Sequence, residues 1–375
     1  MVNQVYINAL GAFLPGLPVA NSAMEDHLGR VFGKMSKYRS AALKQNRIVQ
    51  RHYALDPNGN WLCTSAGMAA AAIRDALNNS EASAKDIDYL AVSSTLGDGL
   101  VPGLASHVHA ELGLGALEIA NFQSVCASSL MAIKSAWLQL KCGEHSCAAV
   151  SGSEFASRYF RPGNYECVDE WREKGEIPFE ADFLRFTLSD GAGAALLETE
   201  PNARQASLRI VWIDIRSYAH RFDACMVGGM VRQDADWRYW SGFPDTIAAA
   251  HAGAFVLTQD FDLMQRMLPV WVSHYLDLIE RGMIVIDDID HVCSHYSSHG
   301  LRRQIVDLLE RAGAMIDEQK WFTNLYQKGN TGTASIFIIL EELYRDGRLK
   351  KGDRILCHVP ESGRSLNGFM LLEVV

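Results

Sequence analysis

The sequence predicts an α/β protein built as two related halves, with helices covering both faces of its sheets. Three observations carry this expectation. The chain has 375 residues, of which 48% are hydrophobic and 21% charged, an ordinary globular composition with ample material for a large core. Short unbroken apolar runs such as Leu90-Ala-Val92 and Ala194-Ala-Leu-Leu197 suit strands buried on both faces. Segments also recur: Ile87–Ser94 parallels Ile289–Tyr296, and the helical pattern ending at Gly143, with the strand 147–150 after it, parallels the one starting near Ser335, with the strand 355–359. The polar stretch Thr199–Asn202 separates them, which gives halves 1–200 and 201–375.

Taken in order, the first twenty residues contain Leu10, Phe13 and Leu14 but also Pro15 and Pro18, with no basic run before them. No signal peptide is expected. Thr64 leads a long Ala-rich helix. In Asn121-Phe-Gln-Ser-Val-Cys126-Ala-Ser-Ser-Leu130 a turn of small polar residues runs into a helix marked by Leu130, Ile133, Trp137 and Leu140. Cys126 therefore falls at or next to a helix N-terminus, where free N–H groups and the macrodipole favour a thiolate. An arbitrary cysteine is more often a small buried thiol, so the case for a nucleophile rests on its partners.

Those partners lie far along the chain. Ile289-Asp-His-Val-Cys-Ser-His295 reads as a buried strand that carries His295 at its end, and Lys328-Gly-Asn330-Thr-Gly-Thr-Ala-Ser335 as a glycine-rich turn before the helix 336–344. Cys, His and Asn brought together by the fold form a nucleophile arrangement. Gly191 and Gly193, in Asp190-Gly-Ala-Gly-Ala194, lack the third glycine and following helix of a dinucleotide site, so close backbone packing is the expected use. The segment 230–245, with Trp237, Tyr239, Trp240 and Phe243, is either an ordered surface loop or the wall of an apolar ligand site.

A formal charge of −9 and a pI near 5.7 argue against general binding to nucleic acid or anionic membranes. Eight scattered cysteines read as reduced cytosolic thiols. Cys293, His295 and His299 lack the spacing of a zinc site, and no metal is expected.

At this point the chain resembles the β-ketoacyl-acyl-carrier-protein synthase III group of thiolase-fold condensing enzymes. The resemblance spans nearly the whole sequence: Val5–Pro15 with Val19-Ala-Asn21, Arg47-Ile-Val-Gln-Arg51, Thr64, the Cys126 turn, Leu188–Leu196, His295, Asn330 and a terminal loop ending at Gly368. It implies two fused thiolase halves in a five-layered α-β-α-β-α arrangement, Cys126 as the acylated nucleophile, and His295 and Asn330 as donors to an enolate. It further implies an oxyanion site formed by the Cys126 N–H and one near Arg364. No cofactor is implied, since acyl groups arrive on the phosphopantetheine of an acyl carrier protein or on coenzyme A; a cytoplasmic homodimer is also implied.

Two departures stand out: His295-Tyr-Ser-Ser298 replaces His-Gln-Ala-Asn, and Ser362-Gly-Arg-Ser365 replaces a glycine run. Together with Lys44–Arg47, these look more like the ketosynthase/cyclases that make dialkylresorcinol or stilbene precursors. Fatty-acid initiation is the alternative within the fold, and a non-catalytic carrier-binding partner subunit the alternative of another class. Glu154, after a core strand, is either a paired carboxylate or a base for deprotonating a β-ketoacyl thioester. Arg302 and Arg303 are either solvated cations or contacts for an acidic carrier protein. His299 is expected to pack rather than react.

Overall fold

The computed structural model describes residues 3–375. Ten strands form one mixed sheet: β1 (Tyr6–Phe13), β2 (Tyr89–Ser94), β3 (Glu118–Gln123), β4 (Cys147–Glu154), β5 (Gly191–Glu198), β6 (Leu208–Ser217), β7 (His291–Ser294), β8 (Trp321–Phe322), β9 (Arg354–Glu361) and β10 (Leu366–Val374), in the order β8-β7-β9-β10-β6-β1-β5-β4-β2-β3. At the centre β1 and β6 meet through only Tyr6 with Arg209 and Ile7 with Leu208. Outward from that junction, each side runs first, fifth, fourth, second and third strand. The pairing senses match as well. On each side the second strand is parallel to the third and fourth, while the fifth is antiparallel to the fourth and the first. The segments that recur in the sequence, Ile87–Ser94 and Ile289–Tyr296, supply the equivalent strands β2 and β7.

Six long helices complete the layers: α1 (Ser65–Asn78), α2 (Leu104–Leu112), α3 (Ser128–Cys142), α4 (Phe261–Glu280), α5 (His299–Arg311) and α6 (Ser335–Arg345). Thr64 caps α1 by accepting from the Gly67 N–H at 3.0 Å, and Gly143 closes α3 in the left-handed conformation that suits glycine. The central layer is α3 with α6. Leu130, Ile133 and Leu140 of α3 and Phe337 and Leu340 of α6 share one core with Val150 and Leu197 of the first half and Ile355 and Met370 of the second. Because α6 lies between the two halves of the sheet, Ile336 through Leu340 are all buried, whereas a surface helix would show a single apolar stripe. Next along β9 and β10, Leu356 and Leu371 point the other way, into the core under α4 and α5. On the opposite side α1 and α2 cover Leu90, Val92 and Leu196. The result is the five-layered α-β-α-β-α arrangement of a thiolase fold.

Gly193 is what lets α6 approach. A Cβ there would lie 2.5 Å from the Phe337 Cβ, so this glycine serves backbone packing, as its sequence context predicts.

Candidate active site

The nucleophile turn lies between the end of β3 at Gln123 and the start of α3 at Ser128. Its hydroxyls lock it in place. Ser129 Oγ donates to the Cys126 carbonyl at 2.9 Å and Ser128 Oγ to the Val125 carbonyl at 2.7 Å. Ser128 Oγ also lies 2.8 Å from Thr333 Oγ1, which ties the turn to the loop before α6. Cys126 is buried and precedes the first helical residue by two. The expectation that a helix end would favour its thiolate is overturned by its surroundings. Burial pushes the Cys126 thiol well above the usual range, and the carboxyls of Glu361 and Glu154 push it further.

Asn330 is pinned against the chain that precedes β5. Its N–H donates to the Thr187 carbonyl at 3.2 Å, its carbonyl accepts from the Ser189 N–H at 2.8 Å, and its side-chain Oδ1 accepts from the Gly332 N–H at 2.9 Å. That last bond orients the amide, leaving Nδ2 as the donor available to a ligand. The two glycines of this loop are required by geometry. Gly329 and Gly332 have φ of +74° and +53°, and a Cβ on Gly332 would lie 2.8 Å from both Cγ and Oε1 of Glu154.

Glu154, the last residue of β4, meets the same loop from the other side. Its Oε1 accepts from the Thr95 N–H at 3.1 Å, the Thr95 hydroxyl at 2.6 Å and the Thr333 N–H at 3.2 Å. Burial nevertheless raises its pKa to about 7, against those hydrogen bonds and the nearby Arg158 charge. A carboxyl poised there can take or give a proton at neutral pH. His295 follows β7 directly, its N–H donating to the His358 carbonyl at 2.8 Å. Burial lowers its pKa to about 4, so the imidazole is neutral at physiological pH, the form that can donate from one nitrogen and accept at the other.

One cleft of about 640 Å³, including its open mouth, collects these groups: Cys126, Glu154, Asn330, Thr95 and Ser297 contribute to its wall, with apolar surface from Phe155, Phe183 and Leu257. His295 is not a wall residue of this cleft; Ser297, two residues further on, is. The terminal loop enters at Ser362, a wall residue, and at Gly363, where a Cβ would lie 2.9 Å from Val125 Cγ2. Arg364 is exposed, its Nε donating to the Phe222 carbonyl at 3.0 Å. The loop thus faces the nucleophile turn through the two residues before Arg364.

Other sequence expectations fall elsewhere. The aromatic segment forms a hairpin, Met230–Gln233 with Asp236–Tyr239, held to Asp223 through Trp237 Nε1 at 2.7 Å. It contributes nothing to the wall of the Cys126 cleft. Met226 and Gln259, from a separate two-stranded pair, do so instead. Arg302 forms an ion pair with Glu318 and lies over the Tyr296 and Trp321 rings, whereas Arg303 is exposed. His299 packs at the start of α5, Nδ1 lying 2.8 Å from the Tyr326 hydroxyl. Glu361 escaped the sequence reading altogether. It ends β9, and its carboxyl accepts from Ser124 Oγ at 2.7 Å and the Ala127 N–H at 3.0 Å.

Comparison with known proteins agrees with this fold. Residues 279–371 match the C-terminal domain of 3-oxoacyl-[acyl-carrier-protein] synthase III, and residues 62–173 the thiolase N-terminal domain. The chain is a thiolase-fold acyltransferase. Within that class it is a condensing enzyme of the β-ketoacyl-acyl-carrier-protein synthase III kind. The β-ketoacyl-[acyl-carrier-protein] synthase III of Roseobacter denitrificans is 24% identical over 372 residues, covering 99% of each chain, and that of Clostridium perfringens is 25% identical over 310 residues, covering 82% of this chain and 83% of the relative. Among solved structures, the tetronic acid condensing enzyme AbyA1 superposes with a TM-score of 0.77 at 22% identity, covering 98% of this chain and 99% of its own. Xanthomonas campestris OleA superposes at 0.74 and 20% identity, covering 99% and 98%. These two likenesses concern the fold.

Proposed function

We propose that Cys126 takes an acyl group from a carrier-protein or coenzyme A thioester, releasing the carrier thiol, and that His295 and Asn330 stabilise the enolate of a second thioester. The enolate carbon attacks the Cys126-bound carbonyl, the new carbon–carbon bond forms, and the Cys126 thiolate leaves. The Cys126 N–H and one from residues 362–364 face the developing oxyanion, since backbone donors need no particular side chain. A β-ketoacyl thioester is the second substrate, and a second carbon–carbon bond, formed at its thioester carbonyl as the C–S bond breaks and the carrier thiol leaves, closes the ring to give a cyclohexanedione precursor of a dialkylresorcinol. The observation that supports ring formation is Glu154: a buried carboxyl in the cleft with a pKa near 7 is suited to removing a proton from an activated carbon.

Fatty-acid initiation is the competing reading, favoured by the names of the curated relatives. Product analysis separates the two. Ring formation predicts a cyclic product from an acyl and a β-ketoacyl thioester that Glu154→Gln abolishes while Cys126 acylation persists. Efficient acetoacetyl product from malonyl-carrier and acetyl-coenzyme A, with no use of a β-ketoacyl substrate, would overturn ring formation. A non-catalytic partner role predicts no acylation of Cys126 at all. We further propose a cytoplasmic homodimer, supported by the free cysteines and by β3, a sheet-edge strand with Ile119 36% exposed. Carrier docking by Arg303 completes the proposal.

A further inference from the structure

Each oxygen of the Glu361 carboxyl holds one flank of the nucleophile. Oε1 takes the Ser124 hydroxyl, two residues before Cys126, and Oε2 takes the Ala127 N–H, one residue after it. The side chain comes from the second half of the molecule and is 3% exposed. Gly363 makes room for it, since a Cβ there would lie 3.0 Å from Glu361 Oε1. No cation pairs with this carboxyl among the described residues. The titratable groups acting on the turn besides Glu361 are Cys126 itself and Glu154 from the end of β4; Arg158 acts on Glu154.

We infer that Glu361 is a positioning residue that clamps the nucleophile turn across the two halves and places a second carboxyl beside the Cys126 thiol. The arrangement has a chemical consequence. Burial, and with it the carboxyls of Glu361 and Glu154, oppose a standing thiolate, so Cys126 rests as a thiol. Burial pushes Glu361 up to about 7, so its charge, and its opposition to the thiolate, grow as pH rises through neutrality. The inference rests on Cys126 being the nucleophile, but its test reads only thiol ionisation. A failure of acylation therefore counts against the proposed function and leaves the clamp standing.

The experiment is the pH dependence of Cys126 alkylation by iodoacetamide, followed by peptide mass spectrometry, in wild type, Glu361→Gln and Glu361→Asp. Glutamine keeps the size and an acceptor for the Ala127 N–H while removing the charge. Its alkylation midpoint should fall by about one pH unit, roughly a tenfold rise in rate below the midpoint, the scale of a nearby like charge. Aspartate keeps the charge, so its midpoint should stay with wild type, which also separates charge from a folding defect. A Gln midpoint unchanged or raised, or Asp and Gln shifting together, would overturn the inference.

Discussion

Glu154→Gln should make the protein more stable relative to wild type as pH rises. The folded Glu154 carboxyl has a pKa of about 7, against 4.5 for the ordinary side chain, with burial the largest cause. The sign follows from the raised value. In the unfolded chain the carboxyl ionises near 4.5, while in the fold it stays protonated until about 7. Its contribution is therefore fully present below 4.5 and is lost progressively as pH rises to 7, after which the loss is constant. A gap of about two and a half units corresponds to on the order of 3 kcal/mol. The side chain is 7% exposed, so solvent screening takes little from this figure. Glutamine does not ionise and carries no such loss. Thermal midpoints of both proteins at pH 4.5, 6 and 8 would test the linkage: the variant should gain several degrees on wild type between the extremes, whatever its fixed offset. A difference independent of pH would refute the reasoning.

The other expectations follow from the same geometry. Gly332→Ala forces a side chain into left-handed backbone and against Glu154 Cγ at 2.8 Å; a loss of about 1–3 kcal/mol is expected by denaturant unfolding, together with slower condensation. Gly193→Ala drives a methyl to 2.5 Å from the Phe337 Cβ in the central layer, and should cost a similar amount by overpacking without touching the cleft. Replacing Asn330 or His295 with Ala should leave acylation at least partly intact while lowering condensation roughly 10²-fold or more, the scale of losing a positioned donor, as read by single-turnover kinetics on both half-reactions.

Much of this site was legible because its signals are local. A polar turn entering an apolar helix marked Cys126, a buried strand ending in histidine marked His295, and glycines around Asn330 marked a tight loop. The repeat of Ile87–Ser94 in Ile289–Tyr296 reappears as equivalent strands of two identical strand orders. What escaped the sequence depends on contacts between distant segments. Glu361 meets Ser124 only because β9 and the nucleophile turn converge across the halves, and the thiol's upward shift follows first from burial and then from the carboxyls of Glu361 and Glu154. Likewise, a row of aromatics at 237–243 says nothing of where a hairpin will point, and Arg302 looks like a free cation until Glu318 is placed beside it.

Intact-protein and peptide mass spectrometry after incubation with an acyl-coenzyme A tests the central claim most directly. The account predicts one acyl increment that maps to Cys126, persists in Asn330→Ala, and disappears in Cys126→Ala and when a condensing thioester is then supplied to wild type. An increment that maps to another cysteine such as Cys63 or Cys142, or none under conditions where the protein is folded, would contradict it.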